Sequence, residues 1–157
     1  MARVDMFLKL DGIDGESRDQ DHKNEIDIFS YSWEVSNSGS AGPARKTATR
    51  VKDVAVAMTA NKASVAIAQA CATARNIPTA VITVRKAGDK PLEFLVIKLT
   101  DVYVTRFAWT GQQKDGLPEE AVELSFAKIE QTYKPQNPDG SAGAAVTKNY
   151  DVTTNRG

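Results

Sequence analysis

The chain has 157 residues, of which 41% are hydrophobic and 25% charged. That is one domain's worth of ordinary globular sequence, able to bury a core without disulfides or metals. Lys plus Arg number 20 and Asp plus Glu number 20, for a formal net charge of +0, which argues against a protein that coats nucleic acid. One Cys and one His exclude an intrachain disulfide and fall short of the roughly four ligands of a structural zinc site. The opening residues hold Arg3, Asp5, Lys9 and Asp11, so no signal-peptide stretch is expected, and no apolar run approaches the ~18 residues of a bilayer span.

Arg3 to Leu10 alternates, with Val4, Met6, Leu8 and Leu10 on one face and Phe7 the large apolar residue on the other. This period of two predicts a half-buried strand. Asp11 to Asn24 reads as a charged loop. Glu25 to Val35 predicts a second strand, with Phe29, Tyr31, Trp33 and Val35 facing the core and Ile28, Ser30, Ser32 and Glu34 facing away. Ser36 to Arg50 is rich in Ser and Gly and ends in Arg45, Lys46 and Arg50. A stretch this long and poor in apolar residues predicts a projecting arm.

Val51 to Thr59 predicts a strand with Val54, Val56 and Met58 inward. Asn61 to Arg75 predicts the one helix, with Ser64 or Asn61 as N-cap and a stripe of Val65, Ala68, Cys71 and Ala72. Asn76 and Pro78 are expected to end it. Strands follow at Thr79 to Arg85, Leu92 to Leu99, Val102 to Trp109 and Ala121 to Tyr133, with a hairpin turn at Lys86 to Lys90 and a polar loop at Gly111 to Pro118. A flexible connector spans about 135–145, and Val146 to Val152 adds a last short strand. The expected fold class is therefore mainly β, one domain over 1–157: a closed or nearly closed barrel with one flanking helix.

Chemical motifs are sparse. His22 lies between Asp21 and Lys23 without a Gly-x-Ser-x-Gly context, and reads as an exposed loop histidine and not a catalytic base. Neither a phosphate-binding Gly-x-x-x-x-Gly-Lys-Ser/Thr run nor a dinucleotide Gly-x-Gly-x-x-Gly is present. In the acidic loop, Ile13 and Lys23 occupy positions that a calcium series starting at Asp11 or Asp19 would need for ligands. Cys71, among alanines on the helix, reads as a small buried hydrophobe. The sequence thus offers no catalytic residue, cofactor site or metal site, and is expected not to be an enzyme.

Several stretches together resemble the hemolysin-coregulated protein family, the inner-tube subunits of bacterial type VI secretion systems. They are Val4-Asp5-Met6-Phe7-Leu8-Lys9-Leu10, Gly15-Glu16-Ser17, Glu25-Ile26-Asp27, Tyr31-Ser32-Trp33 and Ser36-Asn37-Ser38-Gly39-Ser40. Further on come Val84-Arg85-Lys86-Ala87-Gly88, Leu92-Glu93-Phe94, Lys98-Leu99-Thr100-Asp101-Val102, Val122-Glu123-Leu124-Ser125-Phe126 and Tyr133-Lys134-Pro135-Gln136. The order and spacing of these stretches carry the resemblance nearly end to end. The chain departs from the commoner pattern at Thr110 to Asp115, where members often have a Gly-rich acidic loop, and in its more basic Arg45 to Arg50.

The resemblance implies a two-sheet barrel that forms hexameric rings, which stack into a hollow tube resembling a phage tail tube and carry or chaperone effectors. It implies as partners other copies of the chain, a contractile sheath, baseplate and spike proteins and small secreted effectors, with no nucleic acid and no membrane insertion. Export through the type VI system would follow from a cytoplasmic start without a signal peptide. Strand parity together with the resemblance puts Ser32, and with it Ser30, on the lumen wall. Ser38, Gly39, Ser40, Arg45, Lys46 and Arg50 are the expected inter-subunit loop residues. The competing expectation is a monomeric β-barrel module that binds a ligand in its loops. An enzyme carried on this domain would need a C-terminal extension beyond Gly157.

Overall fold

The computed structural model describes residues 3–39, 41–42, 48–113 and 116–157. Ser40, Arg45 and Lys46, three of the expected loop residues, lie outside them. The described residues form strands β1 (Val4–Leu10), β2 (Ile26–Ser32), β3 (Val35–Asn37), β4 (Thr49–Val51) and β5 (Val54–Thr59), then helix α1 (Ser64–Ala72). After the helix come β6 (Ile77–Lys86), β7 (Leu92–Thr110), β8 (Glu119–Ser125), β9 (Lys128–Tyr133) and β10 (Val146–Asp151).

The main sheet runs β10-β9-β7-β6-β1-β2-β5-β8, and β8 pairs back onto β7. Six strands therefore close into an antiparallel barrel, with β9 and β10 extending from one side of β7. Closure leaves the barrel strands no free edge. It depends on the length of β7, whose first half pairs with β6 and β9 while its second half pairs with β8. The expected separate strands at 92–99 and 102–109 are joined through Asp101, at φ 53. The buried set on β7 changes parity there, from Ile97 and Leu99 to Val102 and Val104. This left-handed residue turns the strand from one side of the barrel to the other without taking apolar side chains out of the core.

The core is aliphatic: Leu8, Ile26, Val54, Met58, Ile67, Ile82, Leu99, Val122 and Leu124 are all fully buried. β5 behaves as its alternation predicts, with Val54, Val56 and Met58 inward. The second strand does not. Ile28 pairs with Met58, but the next register pair is Ser30 with Ala57, so Phe29 is an extra residue in a bulge. Phe29 is accordingly 50% exposed, while Ile28 is buried and Tyr31 and Trp33 pack half-buried against the core. The expected single aromatic face is thus split, because one inserted residue reverses the parity on either side of it.

On β1, Val4 is largely exposed and Phe7 is buried, the reverse of a simple alternating strand. The helix is shorter than expected and buries Ser64, Ile67 and Ala70 in place of the stripe that includes Val65, which is exposed. Its N-cap is Ala63, without a side-chain cap, and not Asn61 or Ser64, which instead bond each other where the helix begins. The Asn61 amide donates to Ser64 Oγ at 2.8 Å, and Asn61 Oδ1 accepts from the Ala63 amide at 2.8 Å. Ala74, at φ 50, turns the chain out of the helix before Asn76, and Pro78 falls inside β6.

Candidate functional site

The outward face of the β2–β5–β8–β7 wall carries rows of small and charged side chains in register, flanked by exposed Phe29 beside Ser30 and exposed Tyr103 opposite Ser125. Ser30 pairs with Ala57, Ala57 with Ala121, and Ala121 with Ala108. In the next row Ser32 pairs with Ala55, Ala55 with Glu123, and Glu123 with Arg106. A third row is Thr59, Glu119 and Thr110. Cross-strand partners share a face, so these rows form one surface without a large apolar side chain. Both expected serines are exposed on it. At its edge, Ser32, Trp33, Glu34, Lys52, Asp53, Ala55 and Glu123 line an open recess of about 450 Å³.

The projecting arm begins as a hairpin. β3 and β4 form their own two-stranded sheet, with Val35 opposite Val51 and Asn37 opposite Thr49. The Ser38 amide donates to the Ala48 carbonyl at 3.1 Å, and the Gly39 amide to Asn37 Oδ1 at 2.8 Å. At its base Lys52 Nζ lies 2.9 Å from Glu34 Oε2. Ser38 and Arg50 are exposed and Gly39 is half-buried.

A second polar assembly went unforeseen. The loop 11–25 folds over the outer face of β1 and β6, where Phe7 pairs with Thr83 and Asp5 with Arg85. His22 is buried, not the exposed loop histidine expected, and its ring stacks on Phe7 at 4.3 Å. Its Nδ1 lies 2.6 Å from Glu25 Oε2 and its Nε2 2.7 Å from Glu93 Oε1.

Arg85 caps the same Phe7 ring at 5.0 Å and donates to Asp19 at 3.0 and 2.5 Å and to Asp5 at 3.3 Å. The Arg85 hydrogen bonds hold the Asp19 carboxyl at about 2, below its ordinary 3.8. Asp27 is pushed up instead, first by desolvation and then by the charges of Asp19 and Asp5. Gly15 permits the close fold of this loop: a Cβ there would lie 2.5 Å from the Glu25 carbonyl oxygen. Arg85 ties Asp19 and Asp5 together against Phe7, so this assembly straps the 11–25 loop onto β1 and β6.

The fold has counterparts in known proteins. The family model for the type VI secretion system effector Hcp matches residues 7–133. The chain belongs to the Hcp family. It is 33% identical to Protein hcp1 of Pseudomonas aeruginosa, over 97% of each chain. The solved structure of Hcp1 from Salmonella typhimurium superposes with a TM-score of 0.81 at 35% identity, covering 99% of both chains. A type VI secretion system effector from Yersinia pestis superposes with a TM-score of 0.79 at 36% identity, over 94% of this chain and 100% of the other. This Hcp-family chain is thus a component of type VI secretion, and its barrel is the family's barrel.

Proposed function

We propose that six copies of this chain close into a ring, that rings stack into a hollow tube, and that the face bearing Ser30 and Ser32 lines the lumen. The supporting observation is the set of rows Ser30–Ala57–Ala121–Ala108 and Ser32–Ala55–Glu123–Arg106. Small and charged side chains in these rows offer little apolar area to hold a passenger, which suits a channel that must both carry and release effectors. Each subunit in a closed ring offers two different surfaces, and the arm from Ser36 to Arg50 is the segment that reaches a neighbouring subunit. The role is structural and not enzymatic, in keeping with a type VI secretion component. Its partners are its own copies, the sheath, baseplate and spike proteins, and small effectors. Export runs through the secretion system itself.

Ser32→Gln tests the lumen assignment. The longer amide enlarges the wall on the outer face without touching the core, so rings should still assemble. Effector co-purification and delivery should both fall. Full effector binding and full delivery in that variant would remove Ser32 from the cargo surface.

A further inference from the structure

Glu120 is the second residue of β8, and its side chain points inward with Val122 and Leu124. It is 2% exposed, and neither carboxyl oxygen has a hydrogen-bond partner. Its register partners are Met58 on β5 and Trp109 on β7, so it sits where the barrel closes. Ser64, the first residue of α1, is buried too, and its hydroxyl is the one polar side chain among the described residues that bears on Glu120. That hydroxyl accepts from the Asn61 amide and keeps its own proton to face Glu120. Neither Met58, Trp109 nor Ser64 brings a charge to this corner, and no cation among the described residues acts on the carboxyl.

A carboxylate without solvent or cation, and with a single hydroxyl facing it, is far costlier to bury than the neutral acid. We propose that Glu120 is a proton-operated clasp: α1 seats on β7 while this carboxyl, paired across to Trp109 of that strand, is a neutral acid, and its ionisation loosens that seat. The sign follows from desolvation, which raises the group above its ordinary 4.5. Below about 4.5 the folded and unfolded chains both carry the proton, and Glu120 imposes no penalty. As pH climbs through the raised folded value the unfolded chain has already ionised, so stability is lost with rising pH. α1 is the element to yield, because it is only nine residues long and lacks acidic residues in its first turn and basic ones in its last.

The test uses the full chain, with Glu120→Gln as a neutral isostere and Glu120→Met as a second variant should the amide not fold. Melting temperatures are taken from about pH 4.5 upward into mild alkali. Cys71, on α1 and half-buried, reports local opening through its labelling rate with a thiol reagent. Wild type and variant are compared at the same pH, so the thiolate fraction cancels. The wild-type melting temperature should fall relative to the folded variant by about 4 °C or more over this range. Its Cys71 labelling should gain about threefold on the variant. Melting curves whose separation stays constant with pH, or Cys71 labelling that never departs from the variant's, would overturn the clasp.

Discussion

Arg85 makes more ionic contacts than any other described side chain, reaching Asp5, Asp19 and Asp21 from beneath the 11–25 loop. With only 10% of its side chain exposed, it is the partner whose removal leaves charges stranded. Arg85→Met should therefore cost about 3–5 kcal/mol, the usual penalty for breaking a buried pair from one side. Asp19 has a separate signature in acid. Its folded value of about 2 lies below the ordinary 3.8, so its contribution is present above 3.8 and is lost as pH falls toward about 2. Asp19→Asn should be less stable than wild type near neutral pH. It should lose less further stability between pH 3.8 and about 2, as measured by urea unfolding at each pH. Equal acid slopes for the two proteins would show that Arg85 does not hold Asp19 in the folded state. His22 and Arg85 escaped a reading by residue type because both appear in charged stretches, where solvation is the ordinary outcome. The sign of burial was Phe7, a large aromatic on the supposedly wet face of β1 that needed a cover.

At the scale of elements, strand type and order were legible, and phase was not. Alternation located β1, β2, β5 and β8 because a closed barrel wall requires an apolar inner face, although the expected single strand at 121–133 divides into β8 and β9. It failed at Phe29, since a bulge leaves no mark in a run of β-branched and aromatic residues. The same reasoning, carried two residues back from Val122 and Leu124, would have placed Glu120 inside. The helix stripe failed because nine residues rich in alanine define no single apolar face; Ile67, its one large buried side chain, sets the face actually used. These placements set the cost of two substitutions. Phe29→Ala should change stability by less than about 1 kcal/mol, as a half-exposed bulge residue. Trp33→Ala should cost roughly 2 kcal/mol, below the ~3–5 kcal/mol of a fully buried aromatic. Chemical denaturation of the two variants checks the ranking, and a larger loss at Phe29 would place the bulge elsewhere.

For the whole molecule, the barrel, the arm's hairpin base and the outward position of the two serines were legible to different degrees. Fold class came from strand count and turn spacing, and the outward position of Ser30 and Ser32 survived the bulge because they lie beyond it. The small-residue wall as a whole was not legible, since its rows join β2, β5, β8 and β7 across distant parts of the chain and need the pairing register. The arm's hairpin base rests on β3 and β4, each three residues long and too brief to stand out from a Ser/Gly-rich segment. Ring closure is what converts one barrel wall into a channel, so the assembly state tests the account more directly than any single substitution. Native mass spectrometry of the purified chain, with electron micrographs of the same sample, should give a particle of six times the 17.0 kDa subunit and rings with a central hole. A monomer at every concentration tried, with no rings on the grid, would contradict the tube and favour a barrel that acts alone.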